Sequence, residues 1–591
     1  MSRRQDAKTK SKDVQFSASP VLSVRLPMWR SKLVVFLVFT AFAALAARAF
    51  WIQGPGNDFY QRQGESRYER TLEMSATRGK VFDRNGQVLA TSLPVRAIWA
   101  IPEDVPEDLS AAKLRQLAKL LDMSEAELRR KFNQDKSFVY VKRQVLPEVA
   151  RQVADLEIPG VYQRKEYKRF YPEGEIAAHI VGFTNVEDIG QEGVELSMQK
   201  SLAATSGSRR VIKDRLGRIV EDIDILAQPR DGNDITLSID GKIQFLAFSE
   251  LKAALERTGA KAGSAVVLDV RTGEVLALVN LPTYNPNNRT NLTGAQLRNR
   301  VLTDTFEPGS IMKPLTIATA IENRHVTPNS LVQTTGRWTL NGATITDTHD
   351  YGTLTVAGVI QKSSNIGTAK LALQMKPQEM WDMFTSVGLG QAPKIGFPGA
   401  VAGRLRPAKS WRPIEQATMG YGYGLSASLI QLARAYTVFA HDGELLPISI
   451  YKTDGSVVRG EPVISPATAR EVRTMLEMVT SPGGTATMAQ VIGYRVGGKT
   501  GTAYKQSGRG YDKSKYRASF VGMAPMSEPR IIVAVTLDEP SRGSHFGGVA
   551  AGPVFASIVG GTLRALSVPP DSPVTQLVVS EKVEESEPWA P

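Results

Sequence analysis

Residues 33–52, "LVVFLVFTAFAALAARAFWI", form a run of twenty that holds a single charge, Arg48. At the rise of an α-helix such a run is about long enough to cross a ~30 Å hydrocarbon core. The run therefore predicts one membrane-crossing helix. Arg48 lies near the far end, where a long cationic side chain can reach the interface, and Trp51 suits that level as well. Eight basic residues (Arg3, Arg4, Lys8, Lys10, Lys12, Arg25, Arg30 and Lys32) precede it, against Asp6 and Asp13. The positive-inside rule then leaves residues 1–32 in the cytoplasm and sends the chain beyond about residue 53 outside. This tail holds +6 of the formal charge of +13, so the basic excess is not the footprint of a nucleic-acid surface. A cleaved signal peptide is the alternative, supported by the Ala-rich "AALAARA". The basic segment is longer than a usual signal n-region, which favours an uncleaved anchor.

With 591 residues, the exported part is expected to hold two or three domains. The chain has no cysteine, which excludes disulfides, a thiolate nucleophile and any cysteine-based zinc site. "ATRGKVFDRNGQVLA" (76–90) predicts two short strands joined at Asn85-Gly86. Leu114, Leu117, Leu120 and Leu121 predict one helical face, and a second helix opens at Ser124 with Glu127 three residues on. "QPRDGNDITLSIDGKIQ" (228–244) reads as a boundary. Beyond it, "GSAVVLDVRTGEVLALVN" (263–280) is a hairpin, and "YRASFVGMAP" (516–525) and "RIIVAVTLDEP" (530–540) are strands. The stretch between these β-rich ends is largely helical. The expected fold class is α+β, with one mainly antiparallel sheet built from both ends of the domain and flanked by helices. The domains expected are a cytoplasmic tail (1–32), a transmembrane helix (33–52), an extended α+β segment (53–228), a second α+β domain (229–567) and a disordered tail (568–591).

Chemistry concentrates in three short motifs. "EPGSIMKP" (307–314) sets Ser310 and Lys313 three apart, on one face if a helix starts there. Pro314 is tolerated in a first helical turn, where its missing N–H has no partner to lose. Ser-x-x-Lys alone is expected about twice by chance in a chain of this size. Here it is followed after 53 residues by Ser363-Ser364-Asn365 and after a further 136 by Lys499-Thr500-Gly501-Thr502. A serine hydroxyl needs a base, and the five histidines stand isolated in sequence. Lysine can take that role if burial and a second cation make its proton easier to lose. Ser310 as nucleophile, Lys313 as base and Lys499 as neighbouring cation are thus one reading. Ser363 is a hydroxyl relay toward the leaving amine, and Asn365 orients the lysine or a substrate peptide group. Gly501 lets a substrate lie against its strand, while Lys499, Thr500 and Thr502 present a cation and hydroxyls to a carboxylate. Backbone N–H groups at Ser310 and near Thr502 are the candidate oxyanion donors. "DTHD" (347–350) has metal-ligand types in Asp347, His349 and Asp350 but reads as a loop with Asx turns. "MGYGYG" (419–424) reads as a tight aromatic loop at the cleft rim. No metal and no cofactor is called for.

The three motifs in this order are the signature of penicillin-binding proteins and class A β-lactamases. From the anchor to about residue 565 the chain resembles a class B penicillin-binding protein, most closely the septal peptidoglycan D,D-transpeptidases of the FtsI type. The likeness extends to "RGKVFDRNG" (78–86), "RFYPEG" (169–174), "GQEGVE" (190–195) and "GYGLSAS" (422–428). The resemblance implies that 53–228 is a non-catalytic, dimerisation-type pedestal and 229–567 the penicillin-binding transpeptidase domain. It further implies cross-linking of stem peptides through an acyl-enzyme on Ser310, formed on D-Ala-D-Ala and passed to an acceptor amine, with β-lactams as inhibitors. Implied partners are a membrane glycan polymerase and other divisome proteins at the inner membrane, with the catalytic domain periplasmic and no nucleic acid. No glycosyltransferase region precedes the pedestal, and no Glu-x-x-Leu-Asn deacylating element is present, which disfavours class A types. An elongation-specific class B transpeptidase and a membrane β-lactam sensor are the alternatives. A sensor needs a larger inward-facing region than this tail.

Overall fold

A computed structural model describes residues 27–54, 69–213, 219–508 and 510–573. Most of the expected cytoplasmic tail (1–26) and of the expected C-terminal tail (574–591) lies outside the described residues. The chain divides into two compact units, Met1–Met74 with Gly207–Gln228, and Ser75–Ser206 with Pro229–Pro591.

In the first unit the apolar run lies in a helix, Met28–Gln53, whose most apolar 18-residue stretch has a mean hydropathy of 2.3 and which buries none of its side chains. At the helical rise its 26 residues span about 39 Å, longer than the hydrocarbon core. It begins five residues before the apolar run because Pro27, which cannot sit inside a helix, stands immediately ahead of it. The same unit holds a three-stranded antiparallel sheet in which Gly207–Lys213 lies between Glu69–Met74 and Ile219–Ala227.

The second unit opens with the expected hairpin, Val81–Phe82 against Val88–Ala100, turning at Gly86 with φ 86°. Val88–Ala100 continues past the hairpin to pair with Val139–Val145 and Val161–Phe170. Helices Ala111–Leu120, Glu125–Phe132 and Pro147–Ala154 cover one face. There Leu114, Leu117, Leu121 and Leu128 pack on Ile98, Ala100 and Val141, as the leucine spacing predicts. Leu120 is only partly buried. Ser124 Oγ accepts the Glu127 N–H at 3.1 Å and so caps its helix. The hairpin turn is tied to the start of helix Gly241–Thr258. Asp83 Oδ2 accepts the Gly241 N–H at 3.1 Å, and Asn85 Nδ2 donates to Asp240 Oδ2 at 2.9 Å.

The main sheet is antiparallel and runs Val275–Leu281, Ala262–Asp269, Ile531–Asp538, Gly510–Ala524, Gly497–Ser507. Strands from both ends of the domain therefore lie side by side, as the sequence pattern predicts. Alternate residues feed two cores. Val266, Leu268, Ile532 and Ala534 face the helices around Lys313–Glu322 and Leu429–Ala435. Ala265, Val267, Val533 and Val535 face Gly241–Thr258 and Gly552–Ala565. Apolar packing on both faces explains why these strands read as continuous β-branched runs rather than alternating ones. Gly497–Ser507 is an edge strand, and the turn that carries Ser310 packs beside it.

Candidate active site

Ser310 sits in a 3-10 turn, Gly309–Met312, that runs directly into helix Lys313–Glu322. The Lys313 N–H donates to the Ser310 carbonyl, and Pro314 occupies the first turn of the α-helix. The motif thus forms the helix start its spacing predicts, with a short tight turn ahead of the α-helix. Gly309 has φ 57° and donates its N–H to Gly422 O at 3.1 Å. Tyr436 Oη donates to Ile311 O at 2.8 Å and Thr316 Oγ1 to Gly420 O at 2.7 Å, so the turn is held from beneath.

Lys313 is 0 % exposed. Its Nζ donates to Asn365 Oδ1 at 2.8 Å, to Ser363 Oγ at 3.1 Å and to the Ser363 carbonyl. Those acceptors match the three donors of an ammonium. Ser363 offers both oxygens to one amine because it stands in the left-handed region, φ 57° and ψ 39°, at the end of helix Val356–Lys362. A non-glycine residue there costs about 1–3 kcal/mol, which the surrounding contacts must offset. Asn365 Nδ2 donates to Thr346 O at 3.1 Å, which turns its oxygen toward the lysine.

Lys499, also 0 % exposed, donates from Nζ to the same Ser363 Oγ at 2.9 Å and to Thr500 Oγ1 at 3.1 Å. Thr500 Oγ1 is also paired with Thr485 Oγ1 at 3.2 Å, and Thr502 Oγ1 accepts the Gly547 N–H at 3.0 Å. The structure therefore brings Lys313, Ser363, Asn365, Lys499 and Thr500 into one hydrogen-bonded cluster, with Ser310 one turn before Lys313. Gly501 has a role that spacing did not disclose. A Cβ there would lie 2.9 Å from the Ile311 side chain and 3.0 Å from Pro308 O, so its bareness admits the serine turn itself.

Residues 263–560 match the penicillin binding protein transpeptidase domain family, half of the chain, and residues 73–237 match the penicillin-binding protein dimerisation domain. The chain belongs to the penicillin-binding protein transpeptidase family. This penicillin-binding protein is 45 % identical over 553 residues to the "Probable peptidoglycan D,D-transpeptidase PenA" of Neisseria gonorrhoeae, covering 93 % of this chain and 95 % of that one. It is 40 % identical over 552 residues to the "Peptidoglycan D,D-transpeptidase FtsI" of Escherichia coli K12, covering 93 % of each. Among solved structures, the transpeptidase domain of Burkholderia pseudomallei penicillin-binding protein 3 is 65 % identical, with a TM-score of 0.53, over 57 % of this chain and 98 % of that one.

The supporting role of Asp347 in this penicillin-binding protein's site is one the sequence does not disclose. Asp347 Oδ1 accepts the Asn365 N–H at 2.6 Å and the Ile366 N–H at 3.2 Å, and Oδ2 accepts the Ser364 hydroxyl. It thus caps helix Asn365–Ala372 from a distant loop. Burial pushes its carboxyl up, against the pull of the Ser364 hydrogen bond and the Lys313 charge. "DTHD" had signalled only a loop, and Asp350 does make the Asx turn, accepting the Gly352 N–H at 2.9 Å. Among the described residues no three His, Cys, Asp or Glu side chains gather as metal ligands. "MGYGYG" differs from the expected cleft rim. Tyr421 and Tyr423 are 0 % and 3 % exposed, and the loop underlies the serine turn because Gly422 can approach Gly309 closely enough that a Cβ would come within 2.0 Å of its carbonyl oxygen.

Proposed function

We infer that this chain is a serine-type peptidoglycan D,D-transpeptidase that cross-links stem peptides and is acylated by β-lactams. The observation that carries the reading is the Ser363 hydroxyl shared by Lys499 and by Lys313, the latter one turn after Ser310. Two ammonium groups on one acceptor in a buried pocket repel each other, which favours loss of the Lys313 proton, so that Lys313 enters the reaction as a neutral amine able to act as a base. In the proposed sequence Lys313 Nζ removes the proton from Ser310 Oγ as that oxygen bonds to the carbonyl carbon of the penultimate D-Ala. The tetrahedral adduct collapses with cleavage of the C–N bond, and the proton passes through Ser363 Oγ to the departing D-Ala amine. An acceptor amine then attacks the ester, its proton returns by the same route, and Ser310 regains its hydroxyl hydrogen. Lys499, Thr500 and Thr502 along the edge strand are proposed to hold the terminal carboxylate, with Asn365 fixing Lys313.

The likeness to the FtsI protein over 93 % of the chain favours septum formation over cell elongation. We place the apolar helix across the inner membrane, with residues 1–32 cytoplasmic and the catalytic domain, 229–567, periplasmic. Residues 53–228 serve as the pedestal for a glycan polymerase and other divisome proteins. Labelling the full-length chain with a fluorescent penicillin tests the catalytic reading. Parent protein is expected to label at Ser310 and Ser310→Ala is not; persistent labelling of the variant removes Ser310 from its role.

A further inference from the structure

Glu307 lies three residues before Ser310 and is 7 % exposed. A carboxyl buried beside a nucleophile that does not use it calls for a physical reason. Its Oε1 accepts the Gly424 N–H at 2.8 Å, which ties the strand leading into the serine turn to the far end of the Gly420–Gly424 loop. The middle of that loop is tied back by the Gly309 N–H to Gly422 O bond. Thr305–Phe306 also pairs with Ala427–Ser428, so the loop is closed at its base by a two-residue ladder.

A third element meets the same point. Strands Gly497–Ser507 and Gly510–Ala524 extend into an arm where Gln506 pairs with Tyr511 and Lys505 with Asp512. The Tyr511 phenol and the Gln506 side chain face the Glu307 carboxyl. Tyr511 packs edge-on against Tyr423 at 6.0 Å, and Tyr423 against Tyr421 at 5.8 Å. One residue away, the Arg517 guanidinium lies 4.6 Å from the centre of the Phe306 ring. The arm that prolongs the proposed carboxylate-binding strand is thereby seated on Phe306 and Glu307. Burial pushes the Glu307 carboxyl up, opposed by the Gly424 N–H and by the nearby Tyr511 and Gln506 side chains, and its Oε2 is buried without a hydrogen-bond partner among the described residues.

We propose that Glu307 is a positioning residue that joins the serine turn, the Gly420–Gly424 loop and the Tyr511 arm, so that seating of the arm and alignment of Ser310 are one event. This deepens the transpeptidase reading and rests on it. The Glu307 carboxyl touches no reacting atom and acts through Gly424 and Tyr511. Its loss leaves encounter with a β-lactam unchanged and slows the bond-forming step, because the turn that carries Ser310 is no longer tied to the Gly420–Gly424 loop.

The test uses the full-length chain in detergent with benzylpenicillin, separating the initial dissociation constant from the acylation rate, and following hydrogen exchange in 420–424 and 504–516. Glu307→Ala is expected to lower the acylation rate about tenfold or more, with the dissociation constant changed less than about threefold. Exchange is expected to rise in those two segments while 262–269 and 531–538 stay protected. Glu307→Gln keeps an oxygen for the Gly424 N–H and is expected to recover most of the rate. Tyr511→Phe, which removes only one hydroxyl, is expected to raise exchange in 504–516 and lower the rate several-fold. Parental acylation in Glu307→Ala overturns the proposal, as does a loss that Glu307→Gln does not recover or that comes with exchange across the whole sheet. If the parent itself fails to acylate at Ser310, the transpeptidase reading fails instead, so the two failures are distinguishable.

Discussion

Lys313 and Lys499, 186 positions apart in sequence, donate to one oxygen, Ser363 Oγ, at 3.1 and 2.9 Å. Neither lysine is exposed to solvent. That hydroxyl links the two amines directly, without an intervening water. Ser363→Ala removes that oxygen while leaving Lys313 its bonds to Asn365 and the Ser363 carbonyl position. Acylation by a fluorescent penicillin is expected to fall by about 10²–10³, the scale of a lost proton-transfer partner. Retention of the full rate would separate the hydroxyl from proton transfer.

Asp347 holds the Ser-x-Asn segment from outside it through two backbone N–H groups and the Ser364 hydroxyl. Asp347→Ala is expected to cost about 1–3 kcal/mol of stability, the penalty for leaving those donors unpaired, and to slow acylation. Asp347→Asn, which keeps one acceptor oxygen, is expected to lose less of both. Thermal unfolding and acylation rate measured on the same samples check the order.

Gly501→Ala places a methyl 2.9 Å from Ile311 and 3.0 Å from Pro308 O. The turn must then move away from the edge strand. A 1 Å displacement of a reacting group is enough to lose about 10²-fold in rate, so acylation is expected to fall on that scale with the fold intact by circular dichroism. An unchanged rate would show that the turn and the strand are not rigidly opposed.

His179 is buried, its Nε2 lies 2.7 Å from Gln296 O, and burial lowers its pKa to about 4. The unfolded chain binds the proton near pH 6.5, so between about pH 6.5 and 4 the unfolded state holds more protons than the folded one. Stability from this residue is present above pH 6.5 and is lost as pH falls toward 4, on the order of 3 kcal/mol in all. The difference in unfolding free energy between parent and His179→Gln, followed from pH 7 to 4.5, is expected to shrink as the pH falls. A constant difference would place the proton elsewhere.

The sequence displayed the chemistry more fully than the supports around it. Ser310-x-x-Lys313 and Lys499-Thr500-Gly501 are local spacings on a helix start and a strand, and local spacing is what periodicity can read. The sheet was legible for the same reason, since its strands are β-branched runs bounded by Gly and Pro. Asp347 and Glu307 were not legible as site supports, because each acts on residues brought near only by tertiary packing: Asp347 on Asn365, Glu307 on Gly424. Nothing in "KSSN" announces that Ser363 adopts a left-handed backbone, a conformation its sequence disfavours and its neighbours impose. "MGYGYG" is Gly-rich without the strand, spacing and lysine of a phosphate loop and so reads as a tight aromatic loop at the rim, yet the close approach of Gly422 to Gly309 draws the tyrosines under the turn.

In the proposed mechanism Lys313 is the group that receives the Ser310 proton. The deciding measurement is the acylation rate of full-length Lys313→Ala by a fluorescent penicillin at neutral pH, beside the parent and Ser310→Ala. A fall of about 10³-fold or more, with the protein folded and Ser310 present, is the predicted result. A rate within about threefold of the parent would mean that a group other than Lys313 takes the proton.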